Sequence, residues 1–392
     1  MSNILASEIV KTIRRAYDDN EEFVPLHEPV FNGNEKKYLL ETIDSTFVSS
    51  VGEFVNRFER DIASVTGAAY AVAVVNGTAA LHLALLVAGV KHGDEVITQP
   101  VTFVATANAI SHCGATPIFV DVDEDTMGMS PGSLRKFLAE NTRKDDGHCI
   151  NKTTGKRVAA CVPMHTFGFP LRIDEIKSIC QEFNISLIED AAESLGSLYK
   201  EKHTGTFGIM GTLSFNGNKT LTCGGGGAVI ANDPKLAKLA RHISTTAKVP
   251  HAWEFEHDMV GYNYRMPNLN AALACAQLEQ LDQFLKIKRE LADYYDAFFQ
   301  EQEGVRFVRE IKDARANYWL NTIIFTTRGQ KEDFLEYSNN NRVMTRPIWR
   351  LMNKLPMYQN CQSANLDVSE YLEDRVVNIP SSVVKSKLFI KA

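Results

Sequence analysis

The chain has no apolar run long enough to span a bilayer, and its first residues show no basic segment followed by an apolar stretch. Neither a transmembrane helix nor a secretory leader is therefore expected, and no membrane partner. Cysteine is sparse and scattered: seven residues, at 113, 149, 161, 180, 223, 275 and 361, with no Cys-x-x-Cys pair. An odd, unpaired set builds neither a disulfide frame nor a zinc site, so no metal is expected and reduced thiols in the cytoplasm are. There is no basic excess either. Lys and Arg number 42 against 48 Asp and Glu, a formal net charge of −6, which argues against nucleic acid as a partner. The Gly-Lys-Ser/Thr of a nucleotide triphosphatase loop is missing, and no internal repeat or low-complexity tract is present.

What is present is the composition of an ordinary globular protein, 44% apolar and 23% charged over 392 residues, enough for two domains. Residues 1–27 read as an N-terminal helix and arm with an acidic patch from Asp18 to Glu22. Apolar residues then recur at three and four from Asn34 to Phe47 and from Val51 to Thr66, the period of two helices. Short apolar runs follow at 71–75, 95–98, 116–120, 158–162, 185–188, 212–215 and 228–231, with helical stretches between several of them. That alternation predicts an α/β fold, a mostly parallel sheet flanked by helices with ligands beyond the carboxyl ends of its strands. The polar segment 141–157 reads as a surface loop. Pro267 opens a long helix that carries Leu269, Leu273, Ala276, Leu281 and Leu285 on one face and continues past Tyr295. This gives a large domain over 28–265 and a smaller α+β domain over 266–392 that includes the linking helix. The small domain holds a strand at 320–326, a helix near Phe334 and a loop-rich tail.

Several strand ends carry chemistry. Ser214-Phe-Asn-Gly-Asn-Lys219 sets one lysine beside a hydroxyl, just ahead of the glycines 224–227. A lysine held at a strand end and shielded from water can lose its proton and form a Schiff base with a carbonyl; the plainer reading is a solvated lysine in a flexible turn. Gly77-Thr78, opening a helix, suits a phosphate, although a threonine there is also an ordinary cap. Asp190 ends the strand Ile185–Ile188 extended through Glu189, where a carboxylate can keep a pyridine nitrogen protonated or merely cap the next segment. Glu193 lies one short step on, within reach of a phenolic oxygen of the same ring. Phe103 can stack on a flat ring or be plain core. His165, after another strand end, is a candidate pocket wall.

The wording around these positions resembles the nucleotide-sugar aminotransferases of the DegT type, which share the aspartate-aminotransferase fold, pyridoxal-phosphate fold type I. The likeness covers nearly the whole chain. It runs through Val51-Gly52 to Phe58-Glu59, Asn76-Gly-Thr-Ala-Ala-Leu81, Pro100-Val-Thr-Phe-Val-Ala105, Phe119-Val-Asp-Val-Asp123, Glu189-Asp-Ala-Ala192, Ser214-Phe215 with Lys219, Gly261-Tyr-Asn-Tyr-Arg265 and Thr345-Arg-Pro347. The resemblance implies pyridoxal 5′-phosphate as cofactor and a ping-pong transamination. Lys219 would carry the cofactor, Asp190 would face its pyridine nitrogen, Phe103 would stack on its ring and Glu193 would lie near its phenolic oxygen. Gly77, Thr78 and Ser214 would hold the phosphate, with Asn263 reaching it from a second subunit, which implies a homodimer with shared sites. The implied substrates are glutamate and C4 of a nucleotide-linked 4-keto-6-deoxy sugar, with UDP linkage of the bacillosamine or legionaminic type first and a GDP-linked sugar of the perosamine route second. His165, Arg346 and Trp349 are the candidate substrate contacts. Two departures stand out: relatives often have Gln or His at the position of Glu193, and many read Gly-Glu-Gly-Gly where this chain has four glycines. A sugar dehydratase of the same fold would replace the lysine with histidine, and a non-catalytic regulator would have no use for it.

Overall fold

A computed structural model describes residues 2–18 and 22–384. In chain order the helices are α1 (Ser2–Ala16), α2 (Glu35–Asp44), α3 (Glu53–Thr66), α4 (Gly77–Val87), α5 (Val104–His112), α6 (Pro131–Asn141), α7 (Ile173–Glu182), α8 (Pro234–Ser244), α9 (Asn268–Leu278), α10 (Leu281–Phe299), α11 (Arg328–Asn340) and α12 (Asp367–Glu373). The strands are β1 (Tyr70–Val74), β2 (Glu95–Thr98), β3 (Thr116–Phe119), β4 (Thr142–Asp145), β5 (His148–Asn151), β6 (Val158–Val162), β7 (Ser186–Asp190), β8 (Leu198–Tyr199), β9 (Lys202–His203), β10 (Met210–Ser214), β11 (Gly227–Ala231), β12 (Val305–Phe307), β13 (Ala314–Arg315), β14 (Asn321–Phe325), β15 (Arg346–Pro347) and β16 (Val376–Ile379).

The α/β expectation holds. Seven strands form the central sheet in the order β1-β11-β10-β7-β6-β2-β3. Only β11 runs against its neighbours, pairing antiparallel with both β1 and β10. Strands such as β2 and β11 are buried along their whole length because helices cover both faces, and β11 is apolar throughout. Local signals set the helix starts. Asn76 accepts from Ala79 N–H at the head of α4, Ser130 precedes Pro131 at α6, and Thr327 with Gln330 closes a capping box at α11. A second, antiparallel sheet, β12-β14-β16-β15, lies in the C-terminal third. Among the described residues no helix is long and apolar enough to cross a membrane, and no cluster of three His, Cys, Asp or Glu could hold a metal ion.

Three elements differ from their sequence reading. The segment 141–157 is not a loop: β4 and β5 pair as a hairpin, Thr142 opposite Asn151 and Asp145 opposite His148. Its turn is Asp146-Gly147, both at positive φ (45° and 76°), and Asp-Gly is a strong hairpin signal that outweighs the polarity of the flanks. The long helix is broken after Leu278. There Glu279 accepts from Tyr38 Oη and Arg57, each at 2.6 Å, and the Gln280 amide donates to Glu35 at 2.8 Å, so side-chain contacts with α2 and α3 fix the break. The two halves serve different cores. Ala271, Ala274 and Cys275 of α9 pack with Val55 and Phe58 of α3. Leu291, Ala292, Tyr295 and Phe299 of α10 pack with the second sheet. Into that second core α1 also buries Ile9, Val10 and Ile13, so the N-terminal helix docks on the C-terminal third of the chain. The tail expected to be loop-rich carries α12 and the fully buried β16 up to residue 384; the remainder of it, like residues 19–21 of the acidic patch, lies outside the described residues.

Candidate active site

The carboxyl ends of β7 and β10, the turn from β1 into α4 and the start of α5 surround one cavity of about 310 Å³. Asp190, the last residue of β7, lines it and is buried. Thr106 Oγ1 donates to Asp190 Oδ2 at 2.7 Å and Ala192 N–H to Oδ1 at 3.1 Å. Burial raises the Asp190 pKa; the Thr106 hydroxyl, the Ala192 N–H and the charges of Lys219 and His165 pull the other way without overcoming it. A carboxylate held this way is oriented at both oxygens and short of positive charge, the environment a protonated ring nitrogen would complete.

Lys219 reaches the same cavity from the loop after β10, closed by Lys219 N–H donating to Asn216 O at 3.0 Å. Its Nζ is 3.0 Å from Glu193 Oε1 and 3.8 Å from the centroid of the Trp319 ring. The other Glu193 oxygen accepts from Phe167 N–H at 2.9 Å. Burial pushes Glu193 up to about 7, against the opposing charge of Lys219 and the Phe167 N–H. This has a consequence for stability. A carboxyl that binds its proton more tightly when folded stabilises the protein below its unfolded pKa, and that contribution is lost as pH rises to about 7. The cofactor-free wild type should therefore lose thermal stability relative to Glu193→Gln between about pH 4.5 and 7, by several degrees in Tm. Parallel melting curves of the two proteins across that window test it; a constant difference would mean that Glu193 does not take up this proton.

Gly77, Thr78 and Ser214 form a cradle on the side of the β1–α4 turn. The Asn76 side chain already takes the Ala79 N–H, and Ala80 N–H makes the first helical bond, to Asn76 O. The N–H groups of Gly77 and Thr78 are thus left for a ligand at a helix N-terminus. Neither the Thr78 nor the Ser214 hydroxyl has a partner among the described residues. A Cβ on Gly77 would stand 2.8 Å from Ser214 Cβ and fill the cradle. Gly227 backs it just as tightly, since a Cβ there would come within 2.4 Å of Asn76 O. Gly225, by contrast, has among the described residues only Val75 O near its Cβ direction, at 3.8 Å, so nothing steric excludes an acid there. Phosphate cradle, buried carboxylate and amine face a single cavity of modest size, and that donor set fits pyridoxal phosphate.

The walls are aromatic. Phe103, the N-cap residue of α5, is 49% exposed and lies 6.3 Å from Trp349 between ring centroids; Phe167, which does not line this cavity, stands 4.7 Å from Trp349. Arg346 does not line this cavity. It borders a neighbouring one of about 470 Å³ that shares Asn218, Trp319 and Trp349 with it. His165 also lies outside: it is fully buried behind the strand, with Nε2 3.1 Å from Glu189, so it corrects to a residue that packs under the site and does not wall it. Asn263 is exposed and away from its own chain's cavity, and the cap of the helix that follows is Pro267, with no side-chain bond. Sequence reasoning missed Thr106, Phe167, Trp319 and Asn317. Thr106 carried a signal, one helical turn after Phe103 at the same strand-to-helix junction. The others come from the distant segments 167 and 317–319, which no local pattern ties to Lys219.

Residues 30–386 match the DegT/DnrJ/EryC1/StrS aminotransferase family. The chain is 38% identical over 359 residues to GDP-perosamine synthase of Escherichia coli O157:H7, covering 92% of this chain and 93% of that one. It is 34% identical over 363 residues to GDP-perosamine synthase of Vibrio cholerae, with 91% and 94% covered. The crystal structure of the aminotransferase TlmJ from Streptoalloteichus hindustanus matches with a TM-score of 0.85 at 25% identity, over 93% of this chain and 95% of that one.

Proposed function

Because the chain belongs to the DegT/DnrJ/EryC1/StrS aminotransferase family, whose cofactor is pyridoxal phosphate, we propose that it transfers an amino group from glutamate to C4 of a nucleotide-linked 4-keto-6-deoxy sugar, with GDP as the nucleotide. The observation that carries the transaminase reading is the meeting of Lys219, Asp190 and the Thr78–Ser214 cradle around one cavity. The GDP linkage is supported by the two perosamine synthases, similar to the chain over nine-tenths of its length. It displaces the UDP-linked sugar that the sequence wording favoured: Asn216-Gly-Asn218 and Thr345-Arg-Pro-Ile-Trp349 are short, and only Asn216, Asn218 and Trp349 of them line the cavity.

Pyridoxal phosphate, when bound, supplies a carbonyl carbon to carry the nitrogen and a ring to delocalise charge. The chain's residues do the rest. Lys219 Nζ holds the cofactor in the resting enzyme and, once released, moves the proton that each half of the exchange requires. Asp190, fixed by Thr106 and the Ala192 N–H, keeps the ring nitrogen protonated. Glu193 stands beside Nζ as a proton-holding neighbour. Gly77, Thr78 and Ser214 bind the phosphate, while Phe103 and Trp349 shield the reacting face from water. Arg346 and Trp349, bordering the adjoining cavity, contact the sugar nucleotide.

The working unit is a homodimer in which Asn263 reaches the partner's phosphate cradle. Supporting this, the segment leading to Asn263 leaves Trp253 77% and Val260 83% exposed, apolar surface of a kind that a second copy would cover.

Isotope-labelled glutamate tests the reaction. Incubated with the holoenzyme and matched GDP- and UDP-linked 4-keto-6-deoxy sugars, it should label the GDP sugar with kcat/KM at least tenfold higher, about 1.4 kcal/mol of discrimination. Preferential labelling of the UDP sugar would reverse the nucleotide assignment, and labelling of neither would remove the sugar reading.

A further inference from the structure

Lys288, in the middle of α10, is fully buried, and no carboxylate pairs with it among the described residues. Lysine is almost never enclosed in this way without an acidic partner. Burial pushes its pKa down to about 7. Its Nζ donates instead to two backbone carbonyls, Trp319 O at 3.2 Å and Ser381 O at 2.5 Å. The neighbouring His27 does not share this work: both its ring nitrogens are buried without a hydrogen-bond partner among the described residues. Burial and the charges of Lys288 and Lys219 hold His27 well below the usual histidine range, so it stays neutral.

Trp319 is the link to the chemistry. Its ring covers Lys219 Nζ at 3.8 Å, and its indole N–H donates to Asn218 O at 2.6 Å, one residue before the lysine. Its own N–H donates to Asn317 Oδ1 at 2.8 Å, and the Asn317 amide donates to Glu193 O and Leu195 O, each at 2.9 Å. The Trp319 carbonyl is the remaining anchor, and Lys288 holds it. A buried strut between α10 and two chain segments could be built from apolar side chains at less cost in desolvation. What an apolar side chain cannot do is fix a carbonyl. We propose that Lys288 is a positioning residue, which holds Trp319 against Lys219 and so sets the environment of the reactive amine. The inference rests on Lys219 being the residue that carries the cofactor.

A double-mutant cycle tests it, on holoenzyme, with Lys288→Met, Trp319→Ala and the pair. Two readouts are followed. One is the rate at which glutamate converts the bound cofactor, seen in its absorbance. The other is the pH midpoint of the cofactor's visible band, which needs no turnover. Lys288→Met should slow conversion about tenfold and move the midpoint by about half a pH unit, as loss of a contact between an amine and an aromatic face would. Adding Lys288→Met to Trp319→Ala should change neither readout more than twofold or measurably further. Losses that multiply, or a Lys288→Met enzyme with parental rate and midpoint, would overturn the proposal. Lys288→Gln, which keeps an amide donor, should fall between the parent and Lys288→Met. Failure of both variants to fold would also overturn it, since the lysine would then be a requirement of folding itself. If the wild type gives no conversion with glutamate but the midpoints still couple, it is the donor assignment that fails and the positioning role that stands.

Discussion

Lys219→Ala is expected to lower amino transfer by at least about a thousandfold, because in the proposed function Lys219 is both the group that carries the cofactor and the base that moves the proton. Residual activity through an added small amine would remain, since Asp190 and the phosphate cradle are untouched. Among the described residues no other lysine lines the cavity. Borohydride treatment of the holoenzyme followed by peptide mapping should therefore place the reduced cofactor on Lys219 alone; an adduct on any other lysine would end the assignment. The same variant probes the proposed dimer. Asn263→Ala should weaken cofactor retention by roughly one to two powers of ten, since a hydrogen bond to a charged group contributes about 1.5–3 kcal/mol. If Asn263 serves the partner's cradle, a hybrid of Lys219→Ala and Asn263→Ala subunits has one site with both defects and one with neither, and about half the parental activity returns on subunit exchange. If Asn263 acts only within its own chain, each hybrid site keeps one defect and mixing restores nothing.

How much of this was legible in the sequence depends on how local each signal is. The strands β2 and β6 were read to the residue because apolar runs bounded by polar turns need no partner to be recognised. The cradle, Asp190 and Lys219 were legible for a related reason: each sits at the carboxyl end of a strand or in the loop just beyond it, and parallel sheets gather those ends. The break between α9 and α10 was not legible. Leu273, Ala276, Leu281 and Leu285 keep a helical period across it, and the side chains that hold Glu279 and Gln280 at the break, Glu35, Tyr38 and Arg57, lie more than two hundred residues away. Trp319 was invisible for the same reason. Its position over Lys219 is made by Lys288, Asn317 and Asn218, all parts of the tertiary fold. His165 misled because a histidine after a strand end resembles a site residue, whereas Glu189, accepting from Gly205, Phe207 and Gly208 N–H, draws it beneath the sheet.

Asp190→Asn should separate folding from function. The amide has nearly the shape of the carboxylate: its oxygen can still accept from the Ala192 N–H, and its NH2 can donate to a Thr106 hydroxyl turned toward Thr102, so the site should keep its geometry. What changes is charge. In the cofactor-free protein the carboxyl is buried and its pKa is raised, so its ionised form opposes folding increasingly as pH rises above the unfolded value. Replacing it should therefore raise the melting temperature of the cofactor-free protein at neutral to alkaline pH and change little in acid. In the proposed function the bound cofactor's ring nitrogen would be the carboxylate's opposing partner, and an amide could not hold that proton. Turnover should fall by about 10² to 10³, some 3 to 4 kcal/mol, the cost typical of removing one preorganised electrostatic group from an active site. Cofactor retention should fall much less, because the proposed phosphate contacts of Gly77, Thr78 and Ser214 are untouched. Melting curves, cofactor titration and kcat on one preparation distinguish the roles. A purely capping Asp190, serving only the turn at Ala192, would leave kcat near the parent's, and that result would remove it from the catalytic set. A variant both more stable without cofactor and nearly inactive with it would mean that the buried charge is kept for chemistry at the expense of folding.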